Sequence, residues 1–574
     1  MDRCVHQAVG MENVGGLHIL YQREASAFAR FTPMGIPEPQ NVGRATRYRF
    51  SRYSFLPFLK PKRRVRRQPI YHMKKFLSLL CAAIIGFSNL THAYDFEVDG
   101  IYYNILSEND CTAEVTNSGD SNIKYEGDIV IPSSVSFNEI THIITTIGDY
   151  AFCECPSLNS VILPESLTSI GSLAFSSCKA LSSVTFPKTL TTIGDWAFYE
   201  CSALTSVTFP EKCKITTIGS LAFSDCLSLI SVTIPESLTT IGMSAFSSCP
   251  ILKSVTLPES LTSIEYGAFC ECSSLTSVSL PKTGKLTAIG DYAFYECSSL
   301  CSVTFPESLS IIGENAFYGC SSLQSITFPE SLASIRRSAF FGCSSLTSVA
   351  FPKICKINTI EDYSFYECSS LTSITFPETC ELSTIEDYTF TGCSSLLSLT
   401  LPESITTIGY GAFSSCHALA CVNLPESLSF IDVGGFANCE LLTSITFPSS
   451  VISIGDVSFN GCSRLTLITN KSTEPQIINK NVFDTKVYEQ ATLRVPDGSV
   501  DAYKEADVWK LFSKIEGGAL SGIEDVAQDE GPVTVYTLGG VVVYTGLWNE
   551  RPELPAGIYI VRNADGISRK VAIR

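Results

Sequence analysis

Histidine is almost absent from the body of this 574-residue chain: of six in all, only His142 and His417 lie beyond residue 93. The side chain that most often serves as general base or metal ligand is therefore scarce. No G-x-x-x-x-G-K-[ST] or H-E-x-x-H segment occurs, and no Ser-His-Asp signature, so the usual nucleotide and zinc-hydrolase chemistries have no residues to carry them. An apolar run long enough to span a bilayer is also lacking; Phe76 to Leu90 is too short. Positive charge is scarce once the start is set aside. Residues 1–93 hold 15 of the 40 Lys+Arg but only 4 of the 57 Asp+Glu, which leaves 25 against 53 and a net charge of −28. Such a balance favours solubility and disfavours nucleic acid and anionic lipid as partners.

What the chain has in abundance is one stretch repeated. Phe152-Cys153-Glu154-Cys155-Pro156-Ser157-Leu158-Asn159-Ser160-Val161-Ile162-Leu163-Pro164-Glu165-Ser166-Leu167-Thr168-Ser169-Ile170-Gly171 recurs to about residue 470, its Phe returning at 175, 198, 223, 246, 269, 294, 317, 340, 365, 390, 413, 436 and 459. That makes fourteen copies at steps of 23 or 25 residues. A fixed period in this range means a solenoid. Within each copy, counting from Phe, the apolar positions are Cys(+3), Leu(+6), Val(+9), Leu(+11), Leu(+15) and Ile(+18), and Leu158, Val161 and Leu163 fit a short alternating strand. One coil cannot enclose these side chains, so coils must stack and bury them in a continuous column. At ~4.8 Å between parallel strands the stack is roughly 60 Å long. Pro164 and its twelve equivalents end each strand, because proline has no N–H for a further ladder. The two extra residues of the longer copies fall at that corner, as in Glu211-Lys212-Cys213-Lys214-Ile215, and read as loop tolerance.

The flanks differ. Residues 1–72 carry thirteen Lys+Arg against four Asp+Glu with no apolar period. Met73-Lys74-Lys75, the apolar run and Thr91-His92-Ala93 before Tyr94 then read as a secretory signal peptide over 73–93, which makes Met73 the expected true start and 1–72 a mis-assigned leader. Residues 94–147, opening on two strands about Asp99-Gly100, are expected to form an N-terminal β cap, and 148–470 the solenoid. Residues 471–520 are expected to form a C-terminal cap with a strand at Ala491–Pro496 and a helix from Ser499 in which Val500, Tyr503, Ala506 and Trp509 recur. The acidic stretch 521–531 reads as a linker, and 532–574, with its short alternating strands and Gly or Pro turns, as a small β-sandwich-like segment.

Four sets of residues are candidates for function. Outward positions of the strand form two columns of hydroxyls, among them Ser183, Ser206, Ser231, Ser254, Ser325 and Ser373 beside Thr185, Thr208, Thr233, Thr256, Thr327 and Thr375. Short hydroxyls on a concave sheet leave the backbone accessible and can meet an extended protein or a glycan; the plainer reading is a strand face kept soluble. A cysteine at +3 in all fourteen copies, Cys155 to Cys462, reads as a file of buried thiols packing as small hydrophobes, since in-register side chains suit neither disulfide torsion nor a four-ligand metal. Glu follows the corner proline in nine of thirteen cases and reads as a solvated, aggregation-resistant edge. Tyr150, Trp196, Tyr199, Tyr292, Tyr295, Tyr318 and Tyr366 gather about the Phe corner, whereas the outward strand columns hold almost no aromatics. A repeated pattern also argues against catalysis, which needs unique residues converging in one pocket.

The motif Ala-Phe-x-x-Cys-x-x-Leu-x-Ser-Val followed by Pro-Glu-Ser-Leu-x-x-Ile-Gly resembles the BspA-like leucine-rich repeats over roughly residues 130–470. The end, Val-Tyr-x-x-x-Gly-x-x-Val with Leu-Pro-Ala-Gly-Ile-Tyr-Ile-Val and Arg569, Lys570 and Arg574, resembles the C-terminal sorting domain of the type IX secretion system of Bacteroidetes. The first resemblance implies a leucine-rich repeat solenoid and adhesion to host matrix proteins or other bacteria; the second implies export to the cell surface by the secretion machinery. The expectation is thus a surface-displayed, non-enzymatic interaction protein with protein ligands and no cofactor, metal or nucleic acid. A glycan-capture module is the alternative, and an enzyme ranks third.

Overall fold

The computed structural model describes residues 94–120, 124–282 and 284–518, and short stretches from 532 to 573. The expected leader, signal peptide and linker lie outside them. From Phe152 onward the chain winds in parallel coils whose strands meet their equivalents one repeat away. In one ladder, Ser206, Val207 and Thr208 stand opposite Ser231, Val232 and Thr233, and Ser254, Val255 and Thr256 opposite Ser277, Val278 and Ser279. Val points into the core while Ser and Thr flank it outside, which is the period-two alternation of a half-buried strand.

A second parallel ladder runs through the Ile(+18) position. Thr192 and Ile193 pair with Thr217 and Ile218, and so on from coil to coil. As far as Thr359–Ile360 it belongs to a 14-stranded sheet that reaches back into the N-terminal segment, where Phe96–Val98 and Ile101–Ser107 form a hairpin and Thr112–Thr116 lies beside Ile140–Ile147; Thr384–Ile385 to Ser453–Ile454 form a separate four-stranded sheet. Asp99 and Gly100 turn that hairpin with φ of 51° and 76°, the left-handed pair of a two-residue turn. The longer sheet therefore begins on antiparallel strands and is already parallel between Thr112–Thr116 and Ile140–Ile147, ahead of the repeats.

The core is a stack of rings. All fourteen repeat phenylalanines are fully buried, and successive rings lie 4.8–5.5 Å apart with planes within 15°. The stack is continued by Tyr125 at one end, 4.5 Å from Phe152, and by Phe483 at the other, 5.5 Å from Phe459.

The corner that carries each Phe has a conformation of its own. Residues −2 and +2 from Phe take positive φ in every one of the fourteen coils, from Tyr150 and Glu154 to Val457 and Gly461. For bulky residues this region is sterically costly. It is held because the corner bonds to the next coil: the amides of Tyr150, Phe152 and Glu154 donate to the carbonyls of Ser172, Ala174 and Ser176 at 2.7–3.0 Å.

Past residue 470 the parallel pairing persists through Leu467–Asn470, Thr492–Val495 and Lys514–Gly517. The single helix expected from Ser499 is instead three short pieces: a 3-10 turn at Asp497–Ser499, an α-helix at Val500–Glu505 and a second 3-10 turn at Trp509–Leu511. Ala506 is extended, and Trp509 is held by its indole N–H on the Gln476 carbonyl at 2.7 Å. The tail is also simpler than a sandwich. Val542–Leu547, Pro532–Thr537, Gly557–Asn563 and Ser568–Ile573 form one antiparallel sheet in that order, with Val533, Val535, Tyr559 and Val561 as its core. Four strands suffice for one sheet; among the described residues no second sheet faces it.

Candidate functional site

The hydroxyls of each coil fall into columns, and the columns differ in what they bond. Ser of the Pro-Glu-Ser corner donates to a carbonyl of the coil before, as in Ser260 to Leu238 and Ser331 to Leu309, both 2.6 Å. Two residues on, Thr191 donates to Thr168 at 2.8 Å and Thr239 to Thr216 at 3.0 Å. Just before the first ladder, Thr276 donates to Lys253 at 3.1 Å and Thr347 to Gln324 at 3.0 Å. These three columns satisfy carbonyls at the coil corners and edges.

The two columns on the outward strand face are different. Ser183, Thr185, Thr208, Ser231, Thr233, Ser254, Thr256, Ser325, Thr327 and Thr375 are exposed, while Ser206 and Ser373 are half-buried. Among the described residues none of these twelve hydroxyls makes a hydrogen bond within the protein, so each keeps its donor and lone pairs for solvent or a ligand. On coils five to seven this face sinks into a shallow groove of about 670 Å³ lined by Ser254, Thr256, Ser277, Ser279 and Thr304, with Lys282 and Glu307. Only Ser254 and Thr256 of the twelve line it. The others continue the two columns on either side.

The cysteine file lies inside. All fourteen thiols are buried, and from Cys178 to Cys462 each sulfur sits 3.0–3.4 Å from the Phe carbonyl of the preceding coil. The thiols thus do more than fill space: each S–H meets the Phe carbonyl of the coil before, which in most coils also accepts the amide of its own +3 cysteine, as Phe175 does from Cys178 at 3.2 Å. Burial pushes the pKa of Cys201, Cys226, Cys343 and Cys393 well up, and that of Cys416 to about 12. Outside the file, Cys301 is exposed and Cys153, Cys380 and Cys421 are half-buried.

The corner glutamates mostly face solvent and cross-link the edge lightly. Glu259 accepts the Lys282 amide at 2.9 Å, Glu403 the Glu426 amide at 3.1 Å, and Lys353 pairs with Glu378 at 3.2 Å. His142 is buried in the N-terminal sheet near Phe96, and His417 lies on the surface against Glu440 at 3.3 Å. Of the corner aromatics, Tyr295, Tyr318 and Tyr366 join with Phe341 in a stack spaced 4.6–4.9 Å with planes within 16°.

Overlapping matches over residues 132–251, 212–298, 239–369, 287–396 and 358–489 fit the family described as the BspA type leucine rich repeat region. The chain belongs to the BspA-type leucine-rich repeat family. This BspA-type chain is 33% identical to a leucine-rich repeat protein from Bacteroides ovatus of known crystal structure, over 66% of this chain and 94% of that one, with a TM-score of 0.57. It is 30% identical to a leucine rich cell surface protein from Faecalibacterium prausnitzii over 67% and 96% of the two chains, with a TM-score of 0.39. The leucine-rich repeat protein of T. pallidum is 26% identical over 40% of this chain and 90% of that one, with a TM-score of 0.31. No curated protein matches the chain. Among the described residues no helix is long and apolar enough to cross a membrane.

Proposed function

We propose that this BspA-type protein is an exported, surface-displayed adhesion or interaction protein. Its two outward hydroxyl columns meet protein ligands of the host matrix or of other cells. One observation carries the reading: the two hydroxyl columns of the outward strand face run side by side over many coils, mostly exposed and without internal partners. A ligand laid along them finds donors and acceptors every ~4.8 Å, the separation of the parallel strands. Residues 73–93 would direct entry to the secretory route, and the four-stranded tail from residue 532 would engage type IX machinery as a sorting segment.

Glycan capture is the second reading, favoured by the aromatics at the Phe corner. Sugar platforms offer a free ring face, and stacking within 16° at 4.6–4.9 Å gives the inner faces of Tyr318 and Phe341 to their neighbours. That supports protein over glycan. The test is binding of the purified chain to an array carrying matrix proteins and glycans at two salt concentrations. Saturable binding to a few proteins is expected, and binding confined to glycans would transfer the function to carbohydrate capture.

A further inference from the structure

A second surface lies on the Phe corner, a different part of each coil from the hydroxyl columns. Tyr295, Tyr318, Phe341 and Tyr366 stack on coils seven to ten. Tyr292 joins Tyr295 to Tyr266 at one end, with rings 5.4 and 5.0 Å apart. Tyr363 joins Tyr366 to Tyr388, which meets Tyr410, at 5.7, 4.9 and 5.0 Å. Nine rings thus touch in an unbroken chain from coil six to coil twelve, most of them half-buried and Tyr410 40% exposed. The repeat supplies its own control. Where Tyr295 and Tyr318 stand, coils two, four and five have Ser176, Ser224 and Ser247, so the fold does not require an aromatic there.

Carboxylates flank the chain. Glu361-Asp362-Tyr363 and Glu386-Asp387-Tyr388 repeat on the adjacent coils ten and eleven. Glycine fills the position of Glu361 and Glu386 in nine of the fourteen coils, and for good reason: a Cβ at Gly194 or Gly219 would meet the preceding coil's backbone at 2.6 or 2.5 Å. The other five coils all carry charge here, as Glu265, Arg336, Glu361, Glu386 and Asp432, and coils ten and eleven are the neighbouring pair that both carry glutamate. Arg337 reaches Asp362 at 3.8 Å and lies 5.5 Å over the Tyr363 ring. Among the described residues Glu386 and Asp387 have no ion pair, and the Asp387 carboxylate accepts only the Tyr410 amide, at 2.7 Å. Burial first, then the neighbouring carboxylates Asp362, Asp387 and Glu361, raise the pKa of Glu386, so a cation brought here relieves like-charge repulsion.

We propose that this corner docks an extended, lysine- and arginine-rich segment of a partner protein, with its charges on Glu361, Asp362, Glu386 and Asp387 and its side-chain stems along the tyrosine chain. Charge complementarity selects the occupant: the body of the chain is net negative, and Arg337 already shows the geometry of a cation between an acid and a ring. Six coil steps at ~4.8 Å span roughly 29 Å, the reach of about nine extended residues. Tyrosine edges suit the aliphatic stems of Lys and Arg.

The test uses the full chain and a fluorescent twelve-residue Lys/Ser peptide, read by anisotropy at low salt. E361Q/E386Q keeps shape and removes repulsion, so its melting temperature should not fall while affinity drops five- to tenfold. E211Q/E236Q, with the same charge loss at the proline corner, should change affinity less than twofold. Tyr318→Ser, which installs the residue other coils use, should weaken binding at least threefold. Equal losses in the two glutamine variants would reduce the effect to net charge and overturn the proposal, as would no loss in E361Q/E386Q.

Discussion

Replacing Phe317 with alanine tests how the stack holds the solenoid together. Phe317 is fully buried, lies 5.3 Å from Phe294 and 5.2 Å from Phe340, and takes an edge contact from Phe305 at 5.8 Å. Truncation removes a large buried ring and leaves a cavity that flanking coils, tied through two backbone ladders, have little freedom to fill; the expected cost is about 3–5 kcal/mol. Two stacked contacts, each worth about 0.5–1.5 kcal/mol in its own right, place it toward the upper end. Because each coil contacts only its neighbours, the loss weakens the interfaces on both sides of coil eight. Urea unfolding followed by circular dichroism should show a lower midpoint and a transition that broadens or divides, with hydrogen exchange fastest about residues 294–340. Phe317→Leu should cost about 1–1.5 kcal/mol. A loss below about 1 kcal/mol for alanine, with a single sharp transition, would refute the reasoning.

The left-handed corner gives opposite effects at equivalent positions. Gly342 has φ of 69° with open space where a Cβ would go, so Gly342→Ala should cost about 1 kcal/mol from the backbone alone, and Ser415→Gly, at φ of 60°, should gain up to about 1 kcal/mol; thermal melts decide both. The buried thiols should make the protein alkali-sensitive. Cys416, pushed up to about 12, stays protonated when folded but ionises near 8.5 when unfolded, so its contribution is complete below about 8.5 and falls by about 1.4 kcal/mol per pH unit up to about 12. Urea midpoints at pH 7.5 and 9.5 should therefore differ, and a flat profile would contradict this. Alkylation of the native protein without reduction should label Cys301 first and the +3 file only after unfolding; mass spectrometry that found the file blocked by disulfides would count against free thiols.

The first ladder was legible because its alternation, Ser-Val-Thr against Leu and Pro, is the pattern of a strand with one buried face. The second was not. Its strands are two residues long, as at Thr192–Ile193, and two residues carry no period; only the stacking of coil on coil makes them sheets. The left-handed corner leaves a faint trace in the glycines at Gly319, Gly342, Gly392 and Gly461, visible once copies are superposed, but Glu154 and Ser177 hide it elsewhere. Phe483 extends the ring stack without the Ala-Phe-x-x-Cys pattern, so the last coil could not be counted from the motif. The hydroxyl columns were visible as residue types. Which of them face inward to carbonyls and which stay unengaged depends on side-chain direction, which spacing along the chain does not encode.

The most direct measurement is binding by a variant that blocks the hydroxyl face. In Thr185→Arg/Thr208→Arg/Thr233→Arg/Thr256→Arg, four bulky cations replace exposed, internally unbonded side chains, so the fold should persist with an unchanged circular dichroism spectrum. Matrix proteins that bind the parent chain on the array should bind this variant at least tenfold more weakly. Undiminished binding by a folded variant would contradict the assignment of that face as the site where this BspA-type protein meets its ligands.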